Sequence, residues 1–403
     1  MWRIAVLLTL LSSLSSSSTQ NCTGQGNLYS DTNQCECYQC FQGVQCEQQV
    51  DPCVVQATQG QPSVFQEYWD ANPVQFESII PVDYRTGYQE YNQPIPPPGT
   101  LNDTYGITGV LRAAISGVHS LANNAKTDDK WIVLGDGCSE LIAAVQYAFA
   151  SLKQAPVHVF AQVPYYDGYE MFASFGFANL SFSPSLNLEN STVLEFVTYP
   201  NNPDGLWRQP YYTNSLATVY DMVYYWPSLV EIDEQLDHDI MLFSMSKLTG
   251  HAGSRFGWAL VRNPIVAGLM QDFVSGVHIG VSIESQYRTF RTLSQIVSTQ
   301  GAMFDFIRDK MTDRWDNFQA LFDLQTTSPP RFTLLSQPGT FYAWIQCNWS
   351  TDTNCAAVFL TVGVAGESGS GFGASNSFVR LELVQYTPVF NILMSNLKSL
   401  FTT

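Results

Sequence analysis

Charge is scarce in this sequence, and positive charge scarcest. Only 13% of the 403 residues are Asp, Glu, Lys or Arg, and 18 Lys and Arg stand against 35 Asp and Glu, for a formal net charge of −17. Nucleic-acid binding rests on neutralising phosphates with Lys and Arg. No basic patch stands out along the chain, so nucleic acid is excluded as a partner. Long apolar runs are missing too. The stretch Ile4–Leu14 falls short of the about 20 residues that cross a bilayer, and no later segment is apolar enough. It follows Arg3 and leads into the small, polar Ser15–Gln20. That is the pattern of a secretory signal peptide over 1–20, with an uncleaved anchor as the alternative. The expectation is no transmembrane segment and a soluble mature chain that begins near Gln20, secreted or held in a lumenal or vacuolar compartment.

Aliphatic residues are nearly absent between 22 and 53. Six of the nine cysteines stand there instead: Cys22, Cys35, Cys37, Cys40, Cys46 and Cys53. A segment of Gly, Asn, Asp and Gln cannot build a core and needs cross-links to hold a shape. Six cysteines allow several pairings, so connectivity stays open at this point. Zinc at Cys37-x-x-Cys40 is the competing reading; the signal peptide and the even cysteine count favour disulfides. Asn21, Asn102, Asn179, Asn190 and Asn348 each begin an Asn-x-Ser/Thr triplet, and export makes them candidate glycan sites.

What is present in quantity is hydrophobic residue, 45% of the chain, enough for a globular protein of more than one folding unit. The chain divides into a cysteine module at 21–60, an arm at 61–104, a large domain at 105–300 and a small α+β domain at 301–403. The arm includes the proline-rich Asn92–Gly99, which blocks helix. From Leu101 the pattern is α/β. Short strands are expected at 131–134, 157–161, 193–198, 218–220, 240–244 and 258–261, and a helix at 139–150. Several of these strands are continuous apolar runs, as suits a mostly parallel sheet covered on both faces. In the tail, strands are expected at 341–346 and 378–383.

Ligands of open α/β sheets sit at the carboxyl ends of strands, and the informative residues lie there. Gly135-Asp136-Gly137-Cys138-Ser139 joins a strand to a helix whose N-terminus can take an anion. Tyr199 to Gly205 follows another strand and is also what a plain turn would look like. Asp221 ends a strand of buried type and needs a partner, such as a protonated pyridine nitrogen. Lys247 follows an apolar strand, an unusual place for a solvated lysine. A lysine that attacks an aldehyde must lose its proton, which such a site favours. Ser244, Ser246 and Arg255 around it could hold a phosphate.

These positions carry a resemblance. Asn202-Pro203, Asp221-x-x-Tyr224, Ser244-x-x-Lys247 and Arg255 resemble the fold type I pyridoxal-phosphate (PLP) enzymes. The fuller strings, 200–205, 220–227 and 246–255, are similar to the alliinase and tryptophan-aminotransferase-related family over nearly all of the mature chain. The resemblance implies a large, mostly parallel α/β sheet domain and a smaller α+β C-terminal domain behind an EGF-like module. It implies disulfides 22–35, 37–46, 40–53 and 347–355, with Cys138 unpaired. The implied cofactor is pyridoxal 5′-phosphate. Lys247 would hold its aldehyde and later move the substrate α-proton, and Asp221 would keep the ring nitrogen protonated. Asn202 and Tyr224 would bond the ring hydroxyl, and Tyr166 would stack on the ring. The backbone of Cys138 and Ser139, the hydroxyls of Ser139 and Ser244, and Arg255 would bind the phosphate. Tyr88 would reach a phosphate across a homodimer interface, and Arg380 would grip the α-carboxylate of an amino-acid substrate. One departure stands out: Ser139-Glu140 replaces the usual Thr-Gln, and Asp136 adds negative charge near the phosphate.

Two reactions share this site. A lyase expels a sulfur substituent from the β-carbon. An aminotransferase of tryptophan or another aromatic amino acid needs a keto acid as second substrate. Residues 237–255 and 279–286 are closer to the aminotransferase branch, whereas export favours the one-substrate lyase, which is the reading adopted. A secreted binding protein without catalysis is a remote third reading, because every cofactor position is intact.

Overall fold

The computed structural model describes residues 22–29, 32–58, 63–74, 95, 97, 107–153, 155–176 and 179–402. Tyr88, Asn21 and Asn102 lie outside the described residues.

The large sheet is built from the apolar runs. Its strands are β1 (Trp131–Gly135), β2 (Val157–Ala161), β3 (Leu180–Phe182), β4 (Val193–Thr198), β5 (Ala217–Asp221), β6 (Ile240–Ser244) and β7 (Gly257–Val261). The spatial order is β1-β7-β6-β5-β4-β2-β3. Pairing is parallel except around β7, which runs antiparallel to both β6 and β1. Alternate residues face opposite cores. Ile132, Met241, Phe243, Trp258 and Leu260 join one apolar cluster, while Val133, Ile240, Leu242, Ala259 and Val261 join the other. That double burial is why these strands are apolar at every position rather than at every second one. Helices Cys138–Leu152 and Pro264–His278 cover the second face. Helix Ile107–Ala122 belongs to the first, where neutral His119 accepts from Trp258 Nε1 at 3.0 Å; burial lowers its pKa to about 4.

A second sheet lies in the tail. Its strands β8 (Phe332–Leu334), β9 (Tyr342–Cys347), β10 (Glu367–Ser368) and β11 (Phe378–Glu382) are ordered β8-β9-β11-β10, all antiparallel. Within the stretch read as an arm, Val64–Ala71 is a helix, and its Trp69 Nε1 donates to the Thr249 carbonyl at 2.9 Å. It thus buttresses the turn that carries Lys247.

The disulfides are Cys22–Cys35, Cys37–Cys46, Cys40–Cys53 and Cys347–Cys355, and Cys138 is free, as the resemblance implied. The module they staple is tied to the tail. Val55–Gln56 pairs with Val364–Ala365, and Tyr38 stacks on Tyr386 with ring centroids 3.7 Å apart. Among the described residues no helix is long and apolar enough to cross a membrane.

Cys347 ends β9 and Cys355 opens the next helix, both buried. Replacing both by Ser should lower stability by about 2–3 kcal/mol, the loop-closure value for so short a loop. The urea midpoint of the oxidised double variant checks this; an unchanged midpoint would show that the loop is already closed by its other contacts.

Candidate active site

The carboxyl ends of β1, β4, β5 and β6 converge on a cavity of about 290 Å³. Every site residue expected from the sequence lines it except Tyr88: Cys138, Ser139, Tyr166, Asn202, Asp221, Tyr224, Ser244, Lys247, Arg255 and Arg380.

At one end lies an anion cradle. The turn after β1 holds Gly137 at φ +80°, where a Cβ would meet Arg255 Nη2 at 2.7 Å. Across it, a Cβ on Gly257 would strike the backbone of Gly137 and Cys138 at 2.8 and 2.9 Å. The two glycines let β7 and the turn touch, and the first N–H groups of helix Cys138–Leu152 are left without intrahelical acceptors. Arg255 sits in the left-handed region at φ 46° and donates to the carbonyls of Asp136 (3.0 Å) and Ala252 (3.1 Å). Ser244 caps the helix Met245–Leu248, its Oγ accepting from Ser246 N at 3.2 Å, so its own proton remains to be donated.

The acidic departure is absorbed locally. His278 Nε2 stands 2.6 Å from Glu140 Oε1 and 3.5 Å from Asp136 Oδ2. Its Nδ1 donates to the Gly280 carbonyl at 2.9 Å. Glu140 Oε2 also accepts from Asp136 N at 2.7 Å, and neither acid lines the cavity.

At the centre Lys247 and Asp221 share the cavity. Asp221 is 3% exposed. Its Oδ2 accepts from the Tyr169 hydroxyl at 2.8 Å, and that hydroxyl also meets Thr198 Oγ1 at 2.6 Å. Its Oδ1 faces Val223 N at 3.4 Å and Cys138 Sγ at 3.8 Å. Burial lifts the Asp221 carboxyl to about 6, against the opposing pull of these hydrogen bonds and of Lys247. Burial and the neighbouring Asp221 push the Cys138 thiol well up, so it stays a neutral donor.

At the other end Arg380 lies between the rings of Tyr342 and Phe372, 4.2 and 4.7 Å from their centroids. Its Nη1 donates to Asn202 Oδ1 at 3.1 Å. Tyr342 in turn meets the Tyr224 hydroxyl at 3.2 Å. Arg380 Nη2 also meets Glu367 Oε2 at 2.5 Å, because antiparallel register sets Glu367 directly opposite it. Glu382 Oε1 has no hydrogen-bond partner, and burial lifts its carboxyl to about 8.

Sequence reasoning missed Tyr169, Thr198, Tyr342 and Glu367. Tyr169 was within reach, being three residues after Tyr166 at the start of helix Gly168–Ala173. Thr198 was also within reach, as the polar residue that closes the expected strand 193–198, whereas Tyr342 and Glu367 come from register and strand order, for which the linear sequence holds no signal.

A compound with a phosphate, an aldehyde and a basic ring nitrogen fits this set of donors. The cradle offers free N–H groups, hydroxyls and a guanidinium, Lys247 offers an amine, and Asp221 offers a buried carboxylate whose pKa burial lifts. The fold and site define a fold type I PLP-dependent enzyme acting on amino acids. The chain belongs to the allinase family, whose profile it matches over residues 55–401. It is 31% identical to tryptophan aminotransferase-related protein 4 of Arabidopsis thaliana, covering 94% of this chain and 86% of that one. It is also 31% identical to an alliin lyase of Allium cepa var. aggregatum, covering 94% and 90%. Among solved structures, an aspartate aminotransferase of Thermus thermophilus shares the fold with a TM-score of 0.62 at 16% identity, covering 86% of this chain and 91% of that one.

Asp221 makes the apoprotein's stability depend on pH. Its folded value, about 6, lies above the unfolded value of 3.8. The contribution is therefore fully present below the unfolded value and is lost as pH rises through about 6, a change of about 3 kcal/mol. Wild-type apoprotein should lose stability relative to Asp221→Asn between pH 4 and 7 in urea titrations. A difference that runs the other way would mean that Asp221 is charged and compensated without the cofactor.

Proposed function

We propose that the protein is a carbon–sulfur lyase that eliminates the β-substituent of an S-substituted cysteine or its sulfoxide, with Lys247 as its catalytic residue. The observation that carries the amino-acid chemistry is the gathering of Lys247, Asp221 and Arg380 around one cavity. The match to alliin lyases and the need for only one substrate favour elimination. A second reading, amino transfer from tryptophan or another aromatic amino acid, is favoured by residues 237–255 and 279–286 and by the equal identity to the aminotransferase-related relatives.

Bound here, pyridoxal phosphate supplies an electron sink for the charge left when the α-proton departs. The chain does the rest. Lys247 Nζ would hold the cofactor's aldehyde carbon and would move the substrate α-proton. Asp221 would keep the ring nitrogen protonated, and Tyr169, anchored by Thr198, fixes that carboxylate. Tyr166 would cover the ring. The Asn202 amide, whose oxygen is already engaged by Arg380, has its nitrogen left for the ring hydroxyl, which Tyr224 would also bond. The backbone of Cys138 and Ser139, the hydroxyls of Ser139 and Ser244, and Arg255 would hold the phosphate. Tyr88 is assigned to the phosphate of a neighbouring subunit in a homodimer.

The stapled module and the leading apolar segment support export to a secreted, lumenal or vacuolar compartment. Of the candidate glycan sites among the described residues, Asn179 and Asn348 are exposed. Asn348 Nδ2 already donates to the Pro330 carbonyl (2.9 Å) and Thr333 Oγ1 (2.8 Å), so a glycan there would displace one of them, and Asn179 is the better acceptor.

Borohydride should fix the cofactor to Lys247, as read by peptide mapping; label on another lysine would refute the assignment. S-alkyl-cysteine sulfoxides should give pyruvate and ammonia without a keto acid, and Arg380→Leu should reduce turnover about a hundredfold or more while the cofactor stays bound. Keto-acid-dependent transfer from tryptophan, with no pyruvate from the sulfoxides, would install the second reading. Tyr88→Phe should weaken cofactor retention without unfolding the protein; a fully active monomer in light scattering would remove the shared site.

A further inference from the structure

The guanidinium of Arg380 is already committed. Nη1 donates to Asn202 Oδ1. Nη2 donates twice, to Glu367 Oε2 at 2.5 Å and to the Thr58 carbonyl at 2.7 Å. Nε is buried without a hydrogen-bond partner. A carboxylate can grip a guanidinium at two points in two ways, end-on through Nη1 and Nη2 or side-on through Nε and Nη2. Both use Nη2, and Nη2 has only two protons. An incoming α-carboxylate can therefore bind in bidentate fashion only after one resident acceptor leaves.

The two acceptors differ in what holds them. The Thr58 carbonyl is main chain, two residues after Val55–Gln56, which pairs with Val364–Ala365. Glu367 is a side chain on the two-residue edge strand β10, and 36% of it is exposed. A rotation about its own bonds moves it into water and leaves the backbone in place. Burial raises its carboxyl pKa, Arg380 pulls it back down, and Asp167 beside it pushes it up again. Among the described residues, the cations that line the cavity are Lys247, Arg255 and Arg380, and each has a task in the proposed reaction. None of them is left for a second carboxylate on the substrate, and Glu367 and Asp167 near Arg380 would repel one.

We propose that Glu367 is a specificity-determining residue, a resident carboxylate that occupies Arg380 in the empty enzyme, gives way to the α-carboxylate, and confines the site to amino acids whose side chain carries no acid. The inference rests on Arg380 as the carboxylate-binding residue. Uncharged S-substituted cysteines satisfy it, and so do aromatic amino acids, so it holds for either reaction.

The test uses the holoenzyme and unreactive probes. Propionate and glutarate are titrated into wild type, Glu367→Gln and Arg380→Leu while the cofactor's absorption band is followed, and KM and kcat are measured with an S-alkyl-cysteine sulfoxide. Wild type should bind propionate in preference to glutarate. In Glu367→Gln the Kd of propionate and the KM should both fall about fivefold or more, with kcat within about twofold, because a competitor for binding is weakened and the chemistry is untouched. The preference against glutarate should narrow. Unchanged or weaker propionate binding in Glu367→Gln, with Arg380→Leu losing it, would overturn the proposal and make Glu367 a buttress of Arg380. Propionate binding that survives Arg380→Leu would overturn the underlying assignment of Arg380 instead.

Discussion

The site is organised around the buried carboxylate of Asp221, which shares its cavity with Lys247. Asp221 is held by Tyr169, Val223 and Cys138, and these donors do not offset the loss of water. An acid kept in that state is costly by itself. Strand order sets this burial. β5 must lie deep in the sheet to bury Asp221, and it must neighbour β6, whose end carries Lys247. β7 must come close enough for Gly257 to touch the cradle.

Around that centre the charges are arranged in pairs or given a local partner. Asp136 and Glu140, which would oppose a phosphate, turn to His278. Asp204 takes Arg208 at 2.6 Å and receives the Asn201 amide at 2.8 Å, which locks the loop that presents Asn202. Arg380 is shared among Asn202, Thr58 and Glu367. Asp221 and Lys247 share the cavity at the centre of these pairs.

Much of this was legible in the residues. Apolar runs located six of the seven strands of the large sheet to within a residue or two, because burial on both faces leaves few polar positions to blur the signal. The short strand Leu180–Phe182 escaped notice because it is an edge strand, half-buried and exposed by turns. The site residues at strand ends were legible for a related reason: a polar side chain closing an apolar run stands out. Glu367, which meets Arg380, was not legible because it lies on another strand.

The sequence by itself determined the strands, the cysteine module and the identities of the chemical groups, since these depend on local composition and on which side chains interrupt an apolar run. Tertiary structure alone decided which groups meet. Tyr169 reaches Asp221, Tyr342 reaches Tyr224, and Glu367 lies opposite Arg380. Each of these contacts is fixed by register and packing between segments far apart in the chain, and a side chain's electrostatic partner is set by distance in space, which the order of residues does not encode locally.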